Sequence, residues 1–384
     1  MGVKTLLLDT NRASIPIFQS LTKRGDEVWV VGCNPNQPLA NICDHYVNLD
    51  YSNHDDLDDF IEKENFDYII PGCTDASYRA YTSMRNKIFK TNDTIEIFDS
   101  LNNKYNFREL LALLNIRAPK RVDRSTALNL PSIIVKPVDS FSGQGITKLN
   151  NPQVKELDAA TNFAYKNSVS GKTIIEEFVE GQLYSHSCFF EDGKIVADFI
   201  VREDCVNNPF AVDLSYVDFS FNKTVLLSYR KSIYKVARHL KIKRGLLHSQ
   251  FILKGTTFWI IEATRRCPGD LYNLLIEKST GYQYSENYLA SFFGMESIPF
   301  IPSKSKRRRI IRYTLCPKFK STLQKISFNK KVKIDEFYPL IPIGSNLEPG
   351  PAGRTAIIFF ESECLSSFND TYSALIDETL CSIN

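Results

Sequence analysis

Long apolar runs are missing. Nowhere in the 384 residues do about 18 apolar side chains follow one another, so no helix read from the sequence spans a bilayer. Close cysteine pairs are missing too: the nine cysteines are scattered, odd in number, and none has CxxC spacing. That argues against a disulfide framework or a zinc site and leaves reduced cysteines in a cytoplasmic protein as the simplest reading. Charge of one sign is nearly absent, with 47 basic against 44 acidic side chains and a formal net charge of +3. No global field exists to collect nucleic acid. The opening MGVKTLLLDTNRAS has only a short apolar run that reaches Asp9 directly, which predicts no secretory leader. Neither nucleic acid nor a membrane is therefore expected as a partner. What is present is ordinary globular material: 43% hydrophobic and 12% aromatic residues exclude a mostly disordered chain. The length predicts two or three packed subdomains rather than one core.

The first hundred residues alternate apolar runs with amphipathic segments. Residues 3–8 (VKTLLL), 27–31 (EVWVV) and 68–70 read as buried strands, and 14–24 and 55–64 as helices between them. Strand, helix and strand in repetition predict a parallel sheet in a Rossmann-like shape. The glycine fingerprint of a dinucleotide site is missing, because the first strand runs into Asp9-Thr10-Asn11-Arg12.

After about residue 100 the texture changes. Helices are predicted over 104–115, 153–167, 228–240 and 272–280, the last with Gly281 as its cap. Strands are predicted over 133–135, 174–175, 184–190, 195–201, 249–253 and 258–262, mostly as hairpins. Two further β-rich runs, 309–315 and 355–360, follow the basic stretch 304–309 (KSKRRR), which reads as the solvated start of an edge strand or as a phosphate-docking run. The fold class is thus α/β followed by α+β.

Three stretches carry chemical signal. In IIVKPVDSFSGQGITKL, at 133–149, a strand delivers Lys136 to a loop with Ser140, Ser142, Gly143 and Gly145. Small residues let backbone N–H groups fold over an anion; the same loop also fits an ordinary hairpin turn. In GLLHSQFILKGTTFWIIEATRRCPGD, at 245–270, Gln250 and Glu262 lie on successive strands. An amide carbonyl and a carboxylate suit a hard cation such as Mg²⁺, and a Glu262–Arg266 ion pair is the alternative. In IIEEFVEG, at 174–181, a short strand runs into an extended segment able to pair its backbone with a purine edge, or simply to turn.

Taken in order, these stretches resemble the ATP-grasp superfamily over roughly residues 1–300, together with LLIEKSTGY at 274–282. The sequence is most similar to the synthetase domains of the carbamoyl-phosphate synthetase large subunit and to amino-acid ligases related to biotin carboxylase. The resemblance implies a Rossmann-like pre-ATP-grasp domain at 1–100 and an ATP-grasp domain at 101–300, with a lid at about 120–181. A β-rich segment at 301–384 would complete the substrate side. Two α+β subdomains would then clamp ATP. It further implies that Lys104 and Lys136 contact phosphates and that the loop bearing Ser140, Ser142, Gly143 and Gly145 closes over the triphosphate. Glu176 would sit near the adenine amino group, the backbone of Glu177, Phe178 and Val179 would form the hinge, and Gln250 and Glu262 would hold Mg²⁺ or Mn²⁺. Arg266, with Lys136, would steady the transferred phosphoryl group. Two positions depart from the pattern: Leu183 replaces a ribose-binding Glu, and Thr264 replaces an Asn beyond the second metal ligand.

The implied activity is ATP-dependent ligation of a carboxylic acid and an amine through an acyl phosphate, with ADP and phosphate released. Charge neutralisation and alignment, not a nucleophilic side chain, would carry it. Carbamoyl-phosphate synthesis or carboxylation using bicarbonate ranks second, because the chain reads as a single synthetase unit. A non-catalytic nucleotide-binding regulator is the rival of another class. Arg202, Arg265 and His248, together with His186 and Asp204, are candidates for the acceptor pocket, each also readable as structural. The loop 346–354 (NLEPGPAGR) reads as a cover for that pocket or as a connector. A homodimer is left open.

Overall fold

The computed structural model describes residues 2–85, 93–140, 143–350 and 353–383. The chain begins with a four-stranded parallel sheet in which Lys4–Leu8 lies between Glu27–Val31 and Tyr68–Pro71, and His45–Val47 pairs outside Glu27–Val31. Leu6, Leu7 and Leu8 are fully buried, as a strand covered on both faces requires. The short strand His45–Val47 has no apolar run and went unpredicted. It is held by pairing and by stacking of His45 on Trp29, with ring centroids 4.8 Å apart.

The turn after the first strand is filled by side chains. Buried Asp9 accepts hydrogen bonds from the Ser14 hydroxyl at 2.6 Å, the Asn11 amide at 2.9 Å and the Cys73 amide at 3.1 Å. Gly72 is required here, because a Cβ on it would stand 2.2 Å from Asp9 Cβ.

A three-stranded antiparallel sheet follows, ordered Thr147–Asn150, Ser132–Pro137, Thr173–Glu177, with the helix Val154–Lys166 packed on it. It has a small core of its own, built from Ile133, Val135, Leu157, Ala160 and Ala164.

The largest layer is an eight-stranded antiparallel sheet. Its order is Thr257–Thr264, Gly245–Lys254, Gln182–Glu191, Lys194–Asp204, Leu214–Val217, Arg309–Leu315, Ala356–Ser362, Lys333–Pro339. The C-terminal strands therefore continue the central sheet. The basic run at 304–309 precedes an interior strand, not the expected edge strand: Arg309–Leu315 is paired on both sides because its apolar residues are buried on both faces. Arg308 spends its charge on Glu361 and Asp335. Helices Tyr272–Thr280 and Tyr284–Phe293 connect the layers, with Tyr288 donating to the Pro71 carbonyl at 3.1 Å and Phe292 packing edge-on against Tyr81. Gly281 caps the first of these in the left-handed region, at φ 75°. No helix among the described residues is long and apolar enough to cross a membrane.

Candidate functional site

A cleft of about 1290 Å³ opens where the three sheets meet. Lys136 reaches it from the end of Ser132–Pro137, and Lys104 from the first turn of the helix Lys104–Leu113, which Asn103 caps. Lys104 Nζ donates to the Ser140 carbonyl at 2.7 Å, and its backbone amide donates to the Val138 carbonyl. Burial pushes the Lys104 ammonium pKa down, opposed by the charge of Glu262.

Lys136 Nζ donates to Glu176 Oε2 at 2.8 Å, while Arg108 Nε donates to the other Glu176 oxygen at 2.5 Å. Glu176 is fully buried, yet the nearby cations overcome the burial penalty and hold its carboxyl at about 2. Glu176 is not itself in the cleft lining; it sits directly behind Lys136. Glu176 pairs with Ile134 and shares a sheet face with Lys136, whose ammonium and the Arg108 guanidinium cover its carboxylate, while Glu177, Phe178 and Val179 line the cleft as the strand ends.

Ser140 and Gly143 also line the cleft; Ser142 lies outside the described residues. Gly145 does not line it. A Cβ there would meet Asn167 Cβ at 2.6 Å and Pro137 Cγ at 2.7 Å, so packing dictates that glycine.

On the opposite wall Gln250 and Glu262 stand directly across from one another, with a bulge just after Gln250. Glu262 is exposed to the cleft and makes no hydrogen bond or ion pair among the described residues. Gln250 Nε2 donates to Glu203 Oε2 at 2.6 Å. Burial, aided by the charge of Glu262, pushes the Glu203 carboxyl up to about 7. Among the described residues no three His, Cys, Asp or Glu side chains form a metal cage. The Gln250 amide oxygen and the Glu262 carboxylate fit a small divalent cation that takes its remaining ligands from phosphate and water. Thr264 and Leu183 line the cleft as well.

Arg266 lines the cleft with its guanidinium gripped by Asp75, at 2.5 Å from Nε and 3.4 Å from Nη2, and that carboxylate raises its pKa against the effect of burial. His248 is on the cleft, its Nδ1 2.7 Å from the Ser187 hydroxyl. Burial, with Arg266 and His186, holds its pKa at about 3, so it is a neutral imidazole.

Arg265 and Arg202 lie outside the cleft lining, in contrast to the expectation for both. Arg265, one residue from Arg266 and turned the other way, is buried against Asp93 at 3.0 and 3.1 Å and donates to the Arg244 carbonyl at 2.6 Å. Arg202 lies over the ring of Tyr372, 5.3 Å from its centroid, and pairs with Asp204 at 3.5 Å. His186 is buried against Asp198 at 3.0 Å, away from the lining, whereas Asp204 is on it.

Sequence reasoning missed Arg12, Asp75, Glu203, Asp270 and Arg312, all on the cleft. Arg312 was the findable one, a lone charge inside the apolar strand RIIRYTL. Arg354, from the loop 346–354, also lines the cleft and forms an ion pair with Asp270.

Residues 129–272 match a family model described as an ATP-grasp domain. Over its whole length the chain has the fold of several solved structures. Similar solved structures include phosphoribosylglycinamide synthetase from Anaerococcus prevotii, at 17% identity and TM-score 0.76 over 100% of both chains. An L-amino acid ligase from Bacillus licheniformis aligns at 16% identity and TM-score 0.77, covering 100% of this chain and 98% of the other. N5-carboxyaminoimidazole synthetase from Staphylococcus aureus, complexed with ADP, aligns at 11% identity and TM-score 0.74, covering 98% and 97%. No curated protein matches the chain in sequence.

Proposed function

We propose that the protein is an ATP-dependent ligase that joins a carboxylic acid to an amine through an acyl phosphate. The observation that carries this reading is the convergence of Lys104 and Lys136 with the facing pair Gln250/Glu262 on one cleft. Lys104 and Lys136 neutralise the triphosphate, and the hinge Glu177–Phe178–Val179 takes the adenine edge. A divalent cation held by Gln250 and Glu262 would supply further neutralisation of phosphate charge. The substrate carboxylate oxygen bonds to the γ-phosphorus as the bond to ADP breaks. The amine nitrogen of the second substrate then bonds to the acyl carbon, the carbon–oxygen bond breaks, and the departing phosphate takes the nitrogen's proton. Arg266, held in place by Asp75, faces this region as the guanidinium for the transferred group. The work is alignment and charge stabilisation, which no nucleophilic side chain is needed to perform.

The test is a matrix of carboxylic acids and amines with ATP and Mg²⁺, read as ADP release. Release that depends on both partners supports ligation. ADP formed equally with bicarbonate alone favours the carboxylase reading, and ATP binding with no turnover under any pair favours a non-catalytic regulator.

A further inference from the structure

The sheet order sets Lys194–Asp204, Leu214–Val217 and Arg309–Leu315 side by side. In register, Glu203 lies opposite Ser215 and Ser215 opposite Arg312, so the three project from one face of the sheet. Glu203 and Arg312 line the cleft, although they are only 4% and 3% exposed. Each is hydrogen-bonded by neutral groups, with the carboxylates of Asp270 and Asp213 and the guanidinium of Arg354 also acting on Arg312. Arg312 Nε donates to the Ser215 hydroxyl at 2.9 Å and its Nη1 to the Asp270 carbonyl at 2.7 Å, while Glu203 accepts from Gln250 Nε2 at 2.6 Å. No ion pair within 4.0 Å joins the two charges among the described residues. Arg312 Nη2 makes no hydrogen bond among those residues, and Arg354, bound to the same Asp270, adds positive charge beside it.

A carboxyl and a guanidinium this deeply buried, side by side in the sheet and not bonded to each other, leave hydrogen-bonding capacity facing the cleft that one bridging group can serve. An α-amino acid head group is such a bridge, with a carboxylate at one end and an amine one carbon away. Resting on the ligase reading, we infer that Glu203 and Arg312 form the recognition site for the head group of an α-amino acid, which is the amine substrate. The carboxylate takes the Arg312 fork, whose fixed geometry suits it. The amine takes Glu203. Polarity follows from position: Glu203 is the member bonded to Gln250, so the nitrogen faces the phosphate end and the carboxylate is held away from it. The product is therefore an N-acyl amino acid. A plain amine leaves Arg312 unpaired, and a site built for a polar group rejects an analogue lacking it by on the order of 10²-fold or more.

The experiment uses the full chain with ATP, Mg²⁺ and the acid panel. Each α-amino acid is compared with the amine obtained by removing its carboxylate, in both ADP release and calorimetric binding. The expected result is acid-dependent turnover with amino acids at least about 10²-fold better in kcat/KM than the matched amines. Arg312→Lys keeps the charge but loses the fork, and is expected to raise the amino-acid KM about tenfold while leaving the KM for ATP unchanged. Arg312→Met should abolish amino-acid binding; if it does not fold, Arg312→Lys and Glu203→Gln carry the test. Matched amines that work as well as amino acids, or an Arg312→Lys variant with an unaltered amino-acid KM, overturn the inference. Amino-acid binding that Arg312→Lys weakens, without ADP release from any pair, upholds the subsite and overturns the ligase reading instead.

Discussion

Replacing Lys136 by Met separates two jobs done by one ammonium. The first is structural. Glu176 is fully buried with its carboxyl at about 2 rather than the ordinary 4.5, an offset worth about 3 kcal/mol in favour of the folded state at neutral pH. Lys136 and Arg108 share that work, so losing Lys136 is expected to cost about 2 kcal/mol, Arg108 remaining. The sign follows from linkage: a depressed carboxyl stabilises above 4.5, and that stability is lost as pH falls from 4.5 through about 2. In Lys136→Met the Glu176 carboxyl rises, and acid sensitivity begins at higher pH. The second, under the proposed ligase reading, is phosphate neutralisation, where loss of a charge at the transferring group costs about 10²- to 10³-fold in kcat. Adding Glu176→Gln removes the stranded carboxylate. Chemical denaturation at neutral and acidic pH, run beside ADP release, should show stability largely restored in the double variant while turnover stays low. If the double variant is no more stable than the single one, the buried pair is not the source of the loss. If it regains activity, Lys136 is not the phosphate contact.

Glu262→Ala removes a side chain with no hydrogen-bond partner among the described residues, so the melting temperature should hold within about 0.5 kcal/mol of equivalent stability. Turnover should fall at least about 10²-fold at any Mg²⁺ concentration. Arg265→Met strands Asp93 in the interior and should destabilise by about 3–5 kcal/mol in urea melts, with Asp93→Asn in the same chain recovering much of it. A neutral His248 makes acid destabilising: the unfolded imidazole takes a proton near 6.5 and the folded one resists until about 3. His248→Gln should flatten the fall in stability below 6.5, measured by denaturant titration across that range. An unchanged slope would refute the neutral assignment.

Local pattern made much of the scaffold legible. The strands Glu27–Val31 and Arg309–Leu315 and the helix Tyr272–Thr280 fall where periodicity predicts them, because each carries a strong apolar repeat. His45–Val47 was illegible because pairing, not composition, makes it a strand. Facing of side chains was half legible. Alternation sets Glu176 and Glu177 on opposite faces, but that Glu176 falls on the face of Ile134 and Lys136 depends on the pairing of the two strands, which spacing does not record. The row Glu203, Ser215, Arg312 was beyond reach, since Ser215 and Arg312 are 97 positions apart and only the strand order makes them neighbours. Spacing along a chain records helices and hairpins; it does not record which distant strands will adjoin.

The unbroken hydrogen-bonded layer from Thr257–Thr264 to Lys333–Pro339 has a practical consequence for anyone wishing to shorten the molecule. Trimming after residue 300 would bare the Leu214–Val217 backbone as a raw edge, inviting aggregation, and would carry off Arg312 with the discarded piece. The nucleotide half and the tail share a seam with no natural place to cut.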